Sequence, residues 1–173
     1  NKAVDFGTAD SLGQSFGAFQ DGYIHSLKIM LATWYKKEVP AGLQIEVFRQ
    51  GPGGELLAQT KIEKEQIKDN QECNIILGMN VKKNDVLYVR IKPEVPIPVE
   101  TIGWWGYSDD ISMGNSAYIN DEPKNYDMGM SIKYTESIKV GVWKYSGSNY
   151  STESYWNGAI IAGNYLSKIY YVP

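Results

Sequence analysis

Leu43–Arg49 has the sequence LQIEVFR, in which every second residue from Leu43 to Val47 is aliphatic. In an extended chain, successive side chains point to opposite faces, so one face of this segment would be apolar and the other mixed. Gly42 precedes the segment, and Gly51-Pro52-Gly53-Gly54 follows it as a strong breaker. The pattern therefore predicts a β-strand with one face against a core.

Similar short apolar segments recur about every 8–14 residues and are separated by Gly, Pro, Asn and Asp. They cover residues 13–19, 23–32, 56–62, 72–79 and 86–92. Only the polar stretch 63–71 favours a helical turn, and no long segment has the 3.6-residue period of a helix. The sequence predicts an all-β, antiparallel β-sandwich of the jelly-roll type over residues 1–134.

Residues 135–173 differ in composition from the rest, with few charges and many Tyr and Trp residues. Gly147-Ser148-Asn149 and Asn157-Gly158 are typical turn sequences. We expect an aromatic-rich C-terminal β extension of two or three strands, packed on the same domain or on a neighbouring chain.

Composition argues against several function classes. The net charge is −3 and no basic patch is visible, so nucleic acid is not expected as a partner. No apolar run approaches the length of a membrane span. With one histidine (His25) and one cysteine (Cys73), a multi-ligand zinc site is not expected. Asp109-Asp110 and Asp121-Glu122 are candidate carboxylate pairs for glycoside hydrolysis, but adjacent carboxylates in a loop are usually solvated or cap a turn, so we predict that the protein is not an enzyme.

An aromatic segment around residues 102–110 is the strongest candidate for a binding site. Trp104 and Trp105 are adjacent, so in a strand one ring would fill the core and the other would face outward. An exposed ring beside carboxylates and amides suits sugar recognition, because the C–H face of a pyranose stacks on it. The alternative is a core strand followed by a polar loop. The candidate ligand-binding residues are Trp104, Trp105, Tyr107, Asp109, Asp110, Asn115, Tyr118, Asn120, Trp34 and Tyr35.

An ordered set of motifs runs through roughly residues 11–134, including Gly13-Gln14-Ser15-Phe16, Asp85-Val86-Leu87-Tyr88-Val89 and Tyr126-Asp127-Met128-Gly129-Met130. In this order the motifs resemble the accessory jelly-roll domains of bacterial and archaeal surface proteins, which are related in architecture to galactose-binding-like and carbohydrate-binding modules. The resemblance implies a β-sandwich, an extracellular or cell-surface location and attachment to larger proteins. It also implies a possible structural Ca²⁺, for which Asp5, Asp10 and Asp127 are candidate ligands.

Two functions follow as hypotheses. The first is a secreted, non-catalytic module that binds carbohydrate or a cell-surface glycan. The second is a structural subunit or adhesive domain of a surface filament, virus tail or capsid, which would form homo-oligomers or filaments through the Tyr-rich C-terminal strands.

Overall fold

The structure is a computed structural model that describes residues 2–18, 21–107, 115–146 and 149–159, with side chains as far as Thr135. These residues form twelve strands and two short 3-10 helices, Phe6–Thr8 and Lys64–Gln66. The strands are β1 Lys2–Asp5, β2 Leu12–Gly17, β3 Gly22–Ala32, β4 Leu43–Arg49, β5 Glu55–Ile62, β6 Gln71–Val81, β7 Val86–Pro93, β8 Gly103–Gly106, β9 Ala117–Ile119, β10 Glu122–Lys124, β11 Met130–Ser146 and β12 Asn149–Ala159.

The strands form two antiparallel sheets, which confirms the predicted all-β sandwich class. In the first sheet, the long central strand β3 pairs with β6 along one edge. Its other edge is shared by β11, which pairs with the first part of β3, and by β8, which pairs with its last two residues. β1 pairs with the far edge of β8. The jelly-roll connectivity remains a prediction.

The second sheet has the order β10-β9-β2-β7-β4-β5. Aliphatic side chains at alternate positions of both sheets meet between them, among them Leu27 and Ile29 of β3 and Ile45 of β4, all essentially inaccessible to solvent. Burial of each such side chain contributes about 1.5–3 kcal/mol relative to an exposed one. The alternation predicted from the sequence is therefore what separates core from surface in both sheets.

β11 continues past the end of β3 and crosses the predicted boundary at residue 134 without a break. Its pairing with β3 ends at Glu136, which lies opposite Gly22. From Ser137 onward β11 pairs with β12 in an antiparallel hairpin that has one register shift, between Val142 and Trp143. The described part of the chain holds no helix with the length and hydrophobicity needed to span a bilayer.

Candidate functional site

The two tryptophans of β8 point in opposite directions, as the alternation predicts. Trp104 has no exposed surface, and its indole Nε1 donates a hydrogen bond to the Gly129 carbonyl at 2.8 Å. Trp105 is partly exposed, and its Nε1 donates to Asn70 Oδ1 at 2.9 Å. Trp104 therefore cannot touch a ligand on the surface, which corrects its place among the candidate ligand-binding residues. Trp105 is the tryptophan of this pair that a ligand can reach.

Trp105 lines a cleft of about 470 Å³ on the outer face of the first sheet, which we call the indole cleft. Besides Trp105, this cleft is lined by Lys28, Met30, Asn70, Glu72, Tyr107 and Ser131, together with neighbouring backbone. Met30 and Tyr107 are about 40% exposed, so the cleft offers open apolar surface besides the indole. The Lys28 ammonium lies 3.0 Å from the Glu72 carboxylate, and both side chains are at least half exposed. The cleft thus combines rings with an amide, a carboxylate and an ammonium group.

A second cleft, of about 540 Å³, shares Trp105 and Asn70 with the first. We call it the turn cleft, because Trp34 and Tyr35 line it from the turn that follows β3. Tyr35 is 89% exposed, the highest value among the large apolar and aromatic side chains that the structure describes. The structure therefore brings the Trp34-Tyr35 pair into the same cleft as Trp105.

The turn at Trp34 and Tyr35 has an unusual backbone. Both residues have positive φ, 48° and 63°, which is uncommon for bulky side chains. Thr33 holds the turn closed, because its backbone N–H donates to Asp69 Oδ1 at 2.6 Å and its hydroxyl donates to the Lys36 carbonyl at 2.9 Å. Strained backbone of this kind is concentrated at functional sites.

The ring of Trp34 packs directly over Gly103 of β8. A Cβ atom at position 103 would lie 2.7 Å from Trp34 Cη2, closer than real Cβ contacts allow. Only glycine therefore leaves room for this ring beside the strand that carries Trp105.

Other predicted site residues lie elsewhere. Tyr118 belongs to the second sheet, where its ring packs on Tyr88 with 4.7 Å between centroids. Asn120 uses Oδ1 to accept hydrogen bonds from the backbone of Asp10 and Ser11. Asn115 is partly buried just before β9. None of these three lines the indole cleft or the turn cleft. Asp109 and Asp110 lie outside the described residues.

The three candidate calcium ligands are not brought together. Asp5 caps a 3-10 helix by accepting from the Gly7 N–H at 2.8 Å, whereas Asp127 is buried and accepts from Gln14 Nε2 at 2.8 Å. Asp10 is exposed and contacts Asn120 through its own backbone. Among the described residues, no group of three or more His, Cys, Asp or Glu side chains is placed to hold a metal ion.

No protein-family model matches the chain, and a search of curated proteins finds no match to it. The functional assignment therefore depends on the geometry of the site.

Sequence reasoning missed several residues of the indole cleft, namely Lys28, Met30, Asn70 and Glu72. Lys28 and Met30 alternate with the buried residues of β3, so their outward direction could have been read from the pattern. Asn70 immediately precedes β6 and Glu72 is the second residue of that strand, and only the pairing of β6 with β3 brings them beside Trp105.

Proposed function

We propose that the protein is a non-catalytic carbohydrate-binding module of a secreted or surface-exposed protein, and that it binds sugar on the outer face of the first sheet. The observation that carries this proposal is the partly exposed Trp105 ring, which a hydrogen bond to Asn70 holds between the indole cleft and the turn cleft. A ring that is already fixed before binding loses little side-chain entropy when a pyranose stacks on it.

The polar groups around the ring fit the same role. Glu72 accepts hydrogen bonds, Lys28 donates them, and the amide of Asn70 does both. Together these groups can bind a sugar hydroxyl whether it acts as a donor or as an acceptor. A partly exposed site of this kind gives modest affinity, with Kd on the order of micromolar to millimolar. The described residues of the two clefts thus offer one stacking platform and a polar rim, which is the usual composition of a small-ligand site.

A glycan array followed by titration calorimetry tests the proposal. We expect Trp105→Ala to weaken binding of an array hit by about tenfold or more, which corresponds to about 1.4 kcal/mol, and Trp105→Phe to retain part of the affinity through its smaller ring. Leu56→Ala, which truncates an exposed side chain on β5 in the second sheet, is the control and should bind like the wild type. The proposal would be contradicted if the protein bound no glycan on a broad array, or if Trp105→Ala bound as tightly as the wild type.

One observation favours the second candidate, an assembling surface subunit. β11 leaves β3 after Glu136 and continues for ten residues, and among the described strands its pairing partner there is β12 alone. A two-stranded hairpin is marginally stable by itself and offers free strand edges to another chain. Size-exclusion chromatography with light scattering over a range of concentrations tests this: a discrete monomer throughout would exclude assembly through the hairpin, whereas defined oligomers or polymers would support it.

A further inference from the structure

A third cleft lies further along the outer face of the first sheet. It has a volume of about 770 Å³, and we call it the lysine cleft; its side chains include Tyr23, His25, Lys28, Asn74, Ile76 and Lys133. The cleft shares Lys28 and Ser131 with the indole cleft, so the two are neighbours on one sheet face.

Strand register places the two lysines of this cleft close together. Lys28 of β3 lies opposite Ser131 of β11, and Lys133 lies two residues further along β11, opposite Ser26. Residues in this diagonal relation on adjacent antiparallel strands have Cα atoms about 7–8 Å apart, within reach of long side chains. Both ammonium groups can therefore approach a single anion bound between them.

The charge of the lysine cleft is one-sided. None of its described lining residues carries a carboxylate. Lys133 is exposed and has no ion pair with any described residue, while Lys28 is paired only with the exposed Glu72, at 3.0 Å. An exposed pair of this kind contributes little stability, so Lys28 can turn to an incoming anion at small cost. In a chain of net charge −3, this cleft is a local excess of positive charge.

Groups that suit a sugar ring accompany the lysines. The rings of Tyr23 and His25 meet edge to face with 4.8 Å between centroids, and His25 Nε2 lies 2.7 Å from the Thr135 hydroxyl, which fixes the imidazole. Ile76 is 65% exposed and adds apolar surface. Asn74 adds an exposed amide opposite Lys28 in the register of β6.

We infer that the ligand is an acidic glycan chain, whose pyranose ring stacks on Trp105 while a carboxylate or sulfate group on a later sugar binds between Lys28 and Lys133. Trp104 pairs with Leu31 of β3, so the next residue of this antiparallel strand, Trp105, lies level with Met30. Lys133 pairs with Ser26, four residues further along β3, so the two ends of the site are about 13 Å apart along the sheet. That span exceeds one sugar ring and requires an oligosaccharide. The inference rests on the proposed function, because it extends the same binding face.

Matched pairs of glycans test the inference on the full chain. Polygalacturonate and its methyl-esterified form have the same backbone and differ in carboxylate charge. Dextran sulfate and dextran also share a backbone and differ in sulfate charge. We expect the protein to bind the charged member of at least one pair about twofold to fivefold more tightly, which is the gain in affinity that one exposed ion pair provides. High salt should abolish this preference, because it screens the charges. The pair that shows the preference identifies the anionic group.

Lys133→Gln should remove the charge preference while leaving the binding of the neutral member and the far-UV circular dichroism unchanged. Lys124→Gln, on β10 of the second sheet, removes an equally exposed charge and should keep the preference. If the protein binds neutral glycans but shows no preference for charge, the inference fails and the proposed function stands. If Trp105→Ala leaves acidic-glycan binding intact while Lys133→Gln abolishes it, the proposal that a single ligand spans both clefts is overturned. If no glycan binds at all, the proposed function itself fails.

Discussion

Glu46 provides the sharpest test of how the second sheet is held together. Its side chain is only 9% exposed, although it lies on the face of β4 that points away from the core. One carboxylate oxygen accepts from both Arg90 Nε at 2.9 Å and Arg90 Nη2 at 2.8 Å, and the other lies 3.4 Å from Lys92 Nζ. We predict that Glu46→Gln, which keeps the shape and removes the charge, destabilises the protein substantially.

The magnitude follows from what the substitution leaves behind. Removing one partner of a buried ion pair costs about 3–5 kcal/mol, because the other charge remains desolvated. Arg90 is 23% exposed and keeps Asp121 as a second partner at 2.9 Å, so part of that cost is recovered. We therefore expect the free energy of unfolding to fall by about 2–3 kcal/mol. In contrast, Glu55→Gln disrupts a pair in which the carboxylate is 64% exposed, and should change stability by less than about 1 kcal/mol.

Equilibrium urea unfolding of wild type, Glu46→Gln and Glu55→Gln measures both values, provided that the m-value stays constant. A double-mutant cycle with Arg90→Met then separates the Glu46–Arg90 interaction from the other contacts of each residue. The reasoning is refuted if Glu46→Gln costs no more than Glu55→Gln, or if the cycle gives no coupling energy between Glu46 and Arg90.

Two further predictions concern packing and the single thiol. Gly103→Ala would place a Cβ atom 2.7 Å from the Trp34 ring, so we expect the free energy of unfolding, measured in urea, to fall by about 1–3 kcal/mol. In the control Gly17→Ala the new Cβ atom meets nothing within 4 Å, so the fall should be smaller. Equal losses of stability in the two variants would contradict the packing of Trp34 on β8. Burial raises the pKa of the Cys73 thiol, whose Sγ lies 3.5 Å from the Gln66 carbonyl, so native protein at about pH 8 should react slowly with iodoacetamide and quickly once unfolded, as mass spectrometry would show. Rapid labelling of native protein would contradict this burial.

Alternation in the sequence was enough to predict six of the longer strands, but it did not predict the short strands β1, β9 and β10. The prediction for β4 matches its observed bounds, Leu43–Arg49, and the segments 86–92 and 56–62 each lack only one terminal residue of β7 and β5. The polar stretch 63–71 contains the 3-10 helix Lys64–Gln66, as its composition suggested. These features are local, because a two-residue period and a turn signal are properties of neighbouring residues.

The candidate binding face depends on long-range strand pairing and could be predicted from the sequence only in part. Local alternation was sufficient to separate a buried indole from an exposed one in the Trp104-Trp105 pair. Asn70 reaches Trp105 from 35 residues away, and Lys133 reaches the neighbourhood of Lys28 only because β11 pairs with β3. No periodicity within either segment carries that information. The same holds for the candidate calcium ligands Asp5, Asp10 and Asp127. The sequence could not show that each of them has a different hydrogen-bond partner in the fold.

The outer faces of the two sheets differ around Arg90 and around Trp105, and this difference supports placing the proposed site on the first sheet. On the second sheet, Tyr88 is completely buried, Phe48 is almost so, and the Arg90 guanidinium lies 4.7 Å from the Phe48 ring centre. The Tyr88 hydroxyl donates to Asp121 at 2.7 Å, and Asp121 and Glu46 both bind Arg90, so these four side chains are joined in one network.

On the first sheet, by contrast, side chains such as Lys28, Met30, Asn74, Ile76 and Lys133 are exposed. These two lysines, two apolar side chains and one amide are open to solvent, so a ligand bound among them would displace water, whereas a ligand bound at Arg90 on the second sheet would have to compete with Glu46 and Asp121. The loss of stability in Glu46→Gln therefore indicates the cost that a ligand would have to overcome to bind at Arg90 instead of at the proposed site beside Trp105.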